Sequence, residues 1–309
     1  MRQEIRLDYR ARPSALAFMA RAVRPSPGLK RGVPAIAARW RHRPDTAEVA
    51  RFHALSGLPE SETLPLLYPH TIAFPLHMAI LTQPAFPLPI WRMLQVRNRI
   101  VQRAPLARGA ELDIAVSIAG YRILEKGAEF DMHAVVRQDG AVAWESLNTF
   151  YSRGRFGAPT TDAVVPEAPK LVSVEANARV EGVTTEPKVS PGDTAQWRMP
   201  DGGGWRYGGL SGDFNPLHWS SGYARKHGFA QAFFHPQRVL GQCLARLPHD
   251  TGLPLRLDAW LKGPVFYGAP VTMRSEAGSD GTRFALHVNE DERPAIVGHL
   301  RPATDSILE

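Results

Sequence analysis

The sequence has very little cysteine: a single residue, Cys243, in 309. One thiol excludes a disulfide within the chain and a metal site built from several thiolates, so we expect a protein of a reducing compartment, the cytoplasm. Cys243 lies in an apolar pattern of helical period, which predicts a buried and inert thiol. The patterns of nucleotide-binding loops, zinc proteases and serine hydrolases are missing as well, so no metal or redox cofactor is expected.

Long uninterrupted apolar runs are missing too. The longest apolar stretch, residues 64–81, contains three prolines and two histidines, so it is not expected to span a membrane. The N-terminal residues carry Glu4 and Asp8 ahead of a short apolar patch and lack a convincing cleavage site, so a secretion signal is not expected. The composition, with 44% hydrophobic and 22% charged residues, is ordinary for a globular protein.

Acidic residues are outnumbered, with 30 Asp and Glu against 37 Lys and Arg and a net charge of +7. A basic chain can meet nucleic acid, an acidic protein or a phosphorylated small molecule. The arginines are scattered, and aromatic residues do not alternate with them in an RNA-binding pattern, so nucleic acid is the partner we least expect. The alternative interpretation of the basic composition is that the arginines are scattered over the surface and bind no partner.

Proline-rich and polar stretches divide the chain into parts. Residues 1–45, rich in proline and arginine, are predicted to form an irregular lead-in. Residues 46–156 form a first unit. A second unit covers residues 157–309, and its polar first part (157–193) is expected to contain one short strand at residues 170–180.

The two units resemble each other. Phe52-His-Ala-Leu-Ser-Gly57 returns as Tyr207-Gly-Gly-Leu-Ser-Gly212, with the two leucines 155 residues apart. Each copy is followed by an apolar segment with a histidine, and the period around Pro236 predicts a helix that Pro248 ends. Alternating segments then predict antiparallel strands at residues 112–117, 129–137 and 141–151, and at residues 255–261, 271–275, 283–288 and 295–300. A duplicated unit of one helix and several such strands is α+β.

The segment Tyr207-Gly-Gly-Leu-Ser-Gly-Asp-Phe-Asn-Pro-Leu-His218 carries the strongest functional signal. Gly212 allows a tight turn that presents Asp213. Asn215 followed by Pro216 is typical of a helix start, which places His218 in the first helical turn. A carboxylate and an imidazole beside one cavity can share a water and move protons in both directions. The alternative is a capped turn in which both side chains only form hydrogen bonds.

Extended through Ala224, Gly228-Phe229 and Phe234-His235, this segment resembles the signature of MaoC-like acyl-thioester dehydratases, which include the (R)-specific enoyl-CoA hydratases. The resemblance implies a double hotdog, in which each unit wraps a curved antiparallel sheet around a long central helix. It implies reversible hydration of trans-2-enoyl thioesters, or dehydration of (R)-3-hydroxyacyl thioesters, in fatty-acid-type metabolism. The acyl group would be carried by coenzyme A or acyl carrier protein, without a separate cofactor, in a monomer or a homodimer.

The resemblance also implies roles for residues of the second unit. Asp213 would act as base toward water, and His218 would exchange the second proton. Asn215 would orient the pair or the water, while Ser211 and Gly212 would shape the turn. The first unit continues after Gly57 as Leu58-Pro59-Glu60, without these groups, so it would be a catalytically silent copy whose groove takes the acyl chain.

One residue departs from the family pattern. The family has His-Gly at the start of the central helix, and the glycine N–H binds the thioester carbonyl, whereas this chain has His235-Pro236. Proline has no N–H, so we expect either the N–H or the side chain of Gln237 to replace it. His235 is expected mainly to support the helix start.

Further residues receive weaker expectations. Three basic side chains could bind the phosphates of coenzyme A or phosphopantetheine, although a solvated basic face is the alternative for each: Arg206, Arg238 and Lys262. Met78, Met93 and Trp91 are expected in the core or along a tunnel, and His77 in the core. Two rival functions stay open: thioester hydrolysis, because hotdog proteins share the groove, and acyl-thioester binding without catalysis, because of Pro236.

Overall fold

A computed structural model describes residues 4–171, 193–247, 253–304 and 306–308. The described helices are α1 (Ala15–Ala22), α2 (Thr46–Ser56), α3 (Tyr68–Leu81), α4 (Gly204–Ser211), α5 (Ser221–Lys226) and α6 (Pro236–Leu244). The strands of the first unit are β1 (Ile5–Tyr9), β2 (Ile36–His42), β3 (Met93–Gln102), β4 (Leu112–Leu124), β5 (Gly127–Gln138) and β6 (Ala141–Arg153). Those of the second are β7 (Asp193–Arg198), β8 (Leu255–Leu261), β9 (Pro270–Gly278), β10 (Gly281–Val288) and β11 (Ile296–Pro302).

The strands form one 11-stranded sheet in the order β1-β2-β4-β5-β6-β3-β8-β11-β10-β9-β7. Counted from each unit's own first long strand, the order β2-β4-β5-β6-β3 repeats as β7-β9-β10-β11-β8. Strands β3 and β8 pair antiparallel, with Asn98 opposite Ala259, and so join the two units edge to edge. The internal repeat predicted from the sequence is therefore a repeat of topology.

Each unit buries one helix, α3 in the first unit and α6 in the second. Helix α3 is buried along nearly its whole length, and it continues through Pro75. Helix α6 begins with Pro236 at its first position, where no backbone N–H is needed, and it ends at Leu244. Cys243 is buried on α6, and burial raises the pKa of its thiol to about 12, in agreement with an inert thiol.

The repeated Leu-Ser-Gly motif is a helix ending in both units. The hydroxyl of Ser56 donates to the carbonyl of Phe52 (2.7 Å), and that of Ser211 donates to the carbonyl of Tyr207 (2.9 Å). Gly57 and Gly212 follow in the left-handed conformation, with φ of 76° and 82°. This backbone favours glycine, so the motif is explained first by the turn it makes.

One sequence expectation needs correction, and another lies mostly outside the described residues. The predicted irregular lead-in contains β1, α1 and β2. Strand β2 alternates buried and exposed residues, but its arginines made it look like part of a basic linker. Most of the predicted strand at residues 170–180 lies outside the described residues. No helix in the described ranges is both long enough and apolar enough to cross a bilayer.

Candidate active site

The turn after α4 holds Asp213 in place. The N–H of Gly212 closes the helix on the carbonyl of Gly208 (2.7 Å), and Ser211 Oγ accepts from the N–H of Asp213 (3.1 Å). Oδ1 of Asp213 accepts from the N–H of Asn215 (3.1 Å). These bonds fix the carboxylate and leave its second oxygen, Oδ2, to face the histidines.

His218 faces this oxygen from a short 3-10 helix, Pro216–His218, which Asn215 caps by accepting from the N–H of Leu217 (3.1 Å). Nδ1 of His218 donates to the carbonyl of Phe233 (3.0 Å). Because a carbonyl can only accept, Nδ1 carries the proton and Nε2 of the neutral ring is an acceptor. Nε2 lies 3.8 Å from Asp213 Oδ2, a separation at which one substrate oxygen can reach both groups.

His235 supports this pair from the start of α6. Its ring stacks on that of His218 with centroids 3.9 Å apart, and Nε2 donates to the backbone carbonyl of Asp213 (3.1 Å). The ring of Tyr207 packs 4.8 Å from His235, and its hydroxyl contacts Thr71 Oγ1 of α3 (3.1 Å). The side chain of His235 forms no capping hydrogen bond at the start of α6, so it supports the turn at Asp213 and the ring of His218, not the helix start that the sequence expectation named.

The electrostatics of the site keep both imidazoles neutral at pH 7. Burial lowers the pKa of His218, against the opposing effects of the Asp213 carboxylate and the Phe233 carbonyl. Burial lowers the pKa of His235 further, and the neighbouring His218 adds to this shift. A neutral His218 beside a carboxylate is able to take up a proton.

A cavity of about 500 Å³ opens onto the pair. Its polar end is formed by the second unit, with Asp213, Asn215, His218 and the ring of Pro236. Most of its apolar wall comes from the first unit, and the second unit adds Phe214, Leu217 and Phe233. The first-unit residues include Phe18 and Met19 of α1, Phe74, Met78 and Leu81 of α3, and Trp91, Met93 and Leu94. Met78, Met93 and Trp91 thus lie where the sequence expectation of a tunnel lining placed them.

The structure separates several predicted site residues from this cavity. Arg238 is only 3% exposed; its Nε donates to the carbonyl of Leu55 (3.0 Å) and Nη1 to that of Gly202 (3.1 Å). It therefore links the two units, and the expectation of a phosphate contact is wrong for this residue. Arg206 and Lys262 are exposed outside the cavity wall, so both stay predictions.

The Gln237 side chain also lies away from the cavity lining. It is buried, and neither its Oε1 nor its Nε2 has a hydrogen-bond partner among the described residues. The lining does not include the backbone of Gln237 either, so both replacements expected for the glycine donor stay predictions.

Two residues at the site gave no sequence signal. The hydroxyl of Tyr267 donates to the carbonyl of His218 (2.6 Å), and Arg12 donates to the carbonyl of Gly209 (3.0 Å). Both contacts join segments far apart in the chain, and neither residue type is unusual at its position. Only the tertiary structure brings them to the site.

The trio of Asp213, His218 and His235 offers three metal-ligand atoms within 4.8 Å of one another. The two rings, however, are stacked at an interplanar angle of 26°, so their in-plane lone pairs run side by side instead of converging on one point. Nε2 of His235 also carries the proton that it donates to Asp213. This arrangement fits a proton relay better than the tetrahedral site of a metal such as zinc.

Fold and site together define a double-hotdog protein in which a carboxylate–imidazole pair of one unit lies at a largely apolar cavity lined by both units. No family model matches the chain. It is 28% identical over 262 residues to 3-hydroxyacyl-thioester dehydratase X of Mycobacterium tuberculosis, a match covering 83% of this chain and 85% of the relative. The crystal structure of HtdX from this organism superposes with a TM-score of 0.69 at 21% identity, over 87% of this chain and 100% of that one.

Other solved structures share the fold. A MaoC-like dehydratase from Phytophthora capsici has a TM-score of 0.69 at 16% identity, over 89% of this chain and 96% of its own. A further Mycobacterium tuberculosis protein, described as a double hotdog, has a TM-score of 0.51 at 12% identity, over 82% and 84% of the two chains. The resemblance to MaoC-like dehydratases and the double-hotdog fold are therefore confirmed.

Proposed function

We propose that this protein is a hydro-lyase that reversibly hydrates trans-2-enoyl thioesters and dehydrates (R)-3-hydroxyacyl thioesters. The observation that carries the proposal is the Asp213–His218 pair at the polar part of a largely apolar cavity. The cavity suits an acyl chain, and the pair stands where the polar head of that chain would lie. The 3-hydroxyacyl-thioester dehydratase related in sequence supports the same reaction.

Hydration would begin with a water held between Asp213 Oδ2 and His218 Nε2. Nε2 takes a proton from this water while its oxygen bonds to C3 of the enoyl group, and the electron pair of the double bond moves toward C2 and the thioester carbonyl. The imidazolium then gives the proton to C2. Dehydration runs through the same steps in reverse.

This sequence of steps gives the proton-carrying role to His218, whereas the sequence interpretation made Asp213 the base. The hydrogen bond from Nδ1 to Phe233 supports the change, because it leaves Nε2 as the acceptor that faces the cavity. Asp213 would orient the water and stabilise the imidazolium. Nδ2 of Asn215 is free to contact the same water, because Oδ1 is used as the cap.

The start of α6 would polarise the thioester carbonyl. Pro236 lines the cavity but has no N–H, so we assign the donor role to the N–H of Gln237 and to the partial positive charge of the helix end. We propose that no metal takes part, because the stacked imidazoles do not converge on an ion. Dialysis against a chelator is therefore expected to leave the activity unchanged.

The first test is the loss of enoyl-thioester absorbance after mixing the protein with crotonyl-CoA and longer trans-2-enoyl-CoAs. We expect a decay that Asp213→Asn slows by about 10²–10⁴-fold, the usual contribution of a positioned acid–base group. Glu60→Gln is the matched control, because Glu60 occupies the position of Asn215 in the first unit and is exposed. Full activity in Asp213→Asn would refute the proposal.

Two other outcomes would point to other functions. Release of free thiol from an acyl-CoA would identify a thioesterase. Binding of acyl-CoA without turnover would identify an acyl-thioester-binding protein, which Pro236 favours because it removes one donor to the carbonyl.

The carrier, the oligomer and the compartment belong to the same proposal. We propose an acyl chain carried by coenzyme A or acyl carrier protein, a cytoplasmic location in accord with the single buried thiol, and a monomeric pseudo-dimer or a homodimer. Parallel assays with both carriers and light scattering of the purified protein test the first and the last of these.

A further inference from the structure

Helix α1 turns one apolar face toward the cavity. Its cavity-lining residues occur at helical spacing, so they share one side of the helix: Ala15, Phe18, Met19, Ala22 and Val23. Phe18 is buried, whereas Met19 and Val23 are exposed. An apolar face left partly uncovered beside an active-site cavity is suited to contact with an apolar ligand.

The apolar face of α1, here called the wall, runs along the cavity from the turn that presents Asp213, here called the catalytic turn, to the far end. Near its start, the guanidinium of Arg12, three residues before α1, lies 3.8 Å from where a side chain at Gly212 would begin. Near its end, Nε of Arg21 contacts Thr82 Oγ1 just after α3 (3.4 Å). The distance along α1 from Ala15 to Val23 is about 12 Å at the usual helical rise, enough to lie beside a medium-length acyl chain.

Arg12 fastens the start of this segment to the catalytic turn. Its guanidinium donates to the carbonyls of Gly209 (3.0 Å) and Leu210, in the last turn of α4. These carbonyls have no partner within the helix, and a cation at a helix C-terminus is also favoured by the helix dipole. The same end of α4 carries the turn that presents Asp213.

We propose that residues 10–23, here called the N-terminal arm, select the length of the acyl chain, and that Arg12 is a positioning residue that couples the arm to the catalytic turn. The ligand of this wall is the distal part of the acyl chain, because the wall and the Asp213–His218 pair belong to one cavity. The inference rests on the proposed function and adds to it a substrate class: medium-chain rather than four-carbon acyl thioesters.

The test is a series of trans-2-enoyl-CoAs of four to sixteen carbons. Each methylene buried along the arm is expected to raise kcat/KM by about fourfold, until the chain reaches the end of the cavity. Ala22→Phe would fill the far end of the cavity and should shift the preference to shorter chains. The ratio of kcat/KM for the four-carbon substrate to kcat/KM for the twelve-carbon substrate should therefore rise. Leu16→Ala is the control on the same helix, because Leu16 is 74% exposed and outside the cavity lining; it should leave the whole series unchanged.

Arg12→Met tests the coupling. We expect a lower kcat at every chain length together with a weaker dependence on length, and partial rescue by Arg12→Lys, which keeps the cation. A merely structural role would lower the melting temperature and leave kcat per folded molecule and the length dependence unchanged.

A binding measurement separates this inference from the proposed reaction. Calorimetry with saturated acyl-CoAs needs no turnover, and affinity should rise with chain length in the wild type and lose that rise in Ala22→Phe. Length-dependent binding without hydration would support the arm and overturn the reaction. Hydration with a length dependence that Ala22→Phe does not alter would overturn the arm and leave the reaction intact.

Discussion

Each unit has two buried histidines whose rings are neighbours, and only the pair of the second unit lies at the candidate site. In the first unit, His70 and His77 of α3 have ring centroids 5.7 Å apart. Burial lowers the pKa of both, and no acidic group among the described residues opposes it. In the second unit, the rings of His218 and His235 are stacked, and Asp213 Oδ2 lies 3.8 Å from each Nε2.

The difference shows what turns a buried imidazole into a reactive one. The first pair lies inside the core, where the amide of Asn148 (3.5 Å) is the hydrogen-bond partner that His77 has among the described residues. The second pair has a carboxylate to stabilise the imidazolium, and His218 opens onto a cavity that admits a ligand. Burial alone gives a neutral histidine; a nearby carboxylate and access for a substrate are needed to make it a proton carrier.

Substitution of the proton carrier should produce the largest effect. His218→Ala is expected to lower kcat by about 10²–10⁴-fold, because it removes the only group assigned to carry the proton. Thr63 occupies the equivalent position of the first unit, and Thr63→Ala should leave kcat unchanged. Enoyl-CoA absorbance measures both variants; an equal loss in the two would contradict the assignment of the site to the second unit.

Loss of the link between the units should act on stability. Arg238→Met would leave the carbonyls of Leu55 and Gly202 without their donor, which should lower the free energy of unfolding by roughly 3 kcal/mol. Urea unfolding measures this, with the exposed Arg206→Met as control at about 0.5 kcal/mol or less. The ratio of the KM for coenzyme A thioesters to the KM for pantetheine thioesters should stay the same in Arg238→Met. An increase in this ratio would show that Arg238 contacts a phosphate after all.

The histidines of the first unit should make the fold acid-sensitive. Burial lowers the pKa of His70 to about 3, so the folded protein does not take up the proton that the unfolded chain binds below about pH 6.5. This contribution to stability is complete above pH 6.5 and is lost as the pH falls toward 3, at about 1.4 kcal/mol per pH unit. Urea unfolding at a series of pH values between 6 and 4 gives the dependence of the free energy of unfolding on pH. His70→Leu should reduce this dependence by about 1.4 kcal/mol per pH unit, and an unchanged dependence would contradict the prediction.

The smallest effect is expected at Gln237. If its backbone N–H polarises the carbonyl, Gln237→Met should keep kcat within about threefold of the wild type. Because the amide has no partner among the described residues, its replacement by an apolar group should not lower stability either. A loss of 10²-fold or more in kcat would instead assign the donor role to the side chain.

The sequence was informative where the determinants are local. Gly212, the Asn215 cap and Pro216 are set by backbone conformation, so the turn and the neighbouring position of Asp213 and His218 could be predicted. The long alternating strands of both units could be predicted for the same reason, since period-2 patterns need only one buried face.

The remainder depends on contacts between distant segments. Strand β3 was not predicted because its arginines obscure the alternation of buried and exposed residues. One of them, Arg97, is in fact buried, because it forms an ion pair with Glu129 of β5. The helical arm was hidden by the proline and arginine content of its surroundings. Arg238 was interpreted as a surface cation, because nothing in the local sequence indicates that its guanidinium donates to two carbonyls of other segments.

The pairing of β3 with β8 makes the second unit depend on the first. If the second unit were produced alone, β8 would become an edge strand with a row of unpaired N–H and C=O groups, a template for aggregation. It would also lose the apolar wall that the first unit provides. The first unit has Leu58, Glu60 and Thr63 at the positions of Asp213, Asn215 and His218, yet its removal is expected to expose a sheet edge and to open the cavity of the second unit.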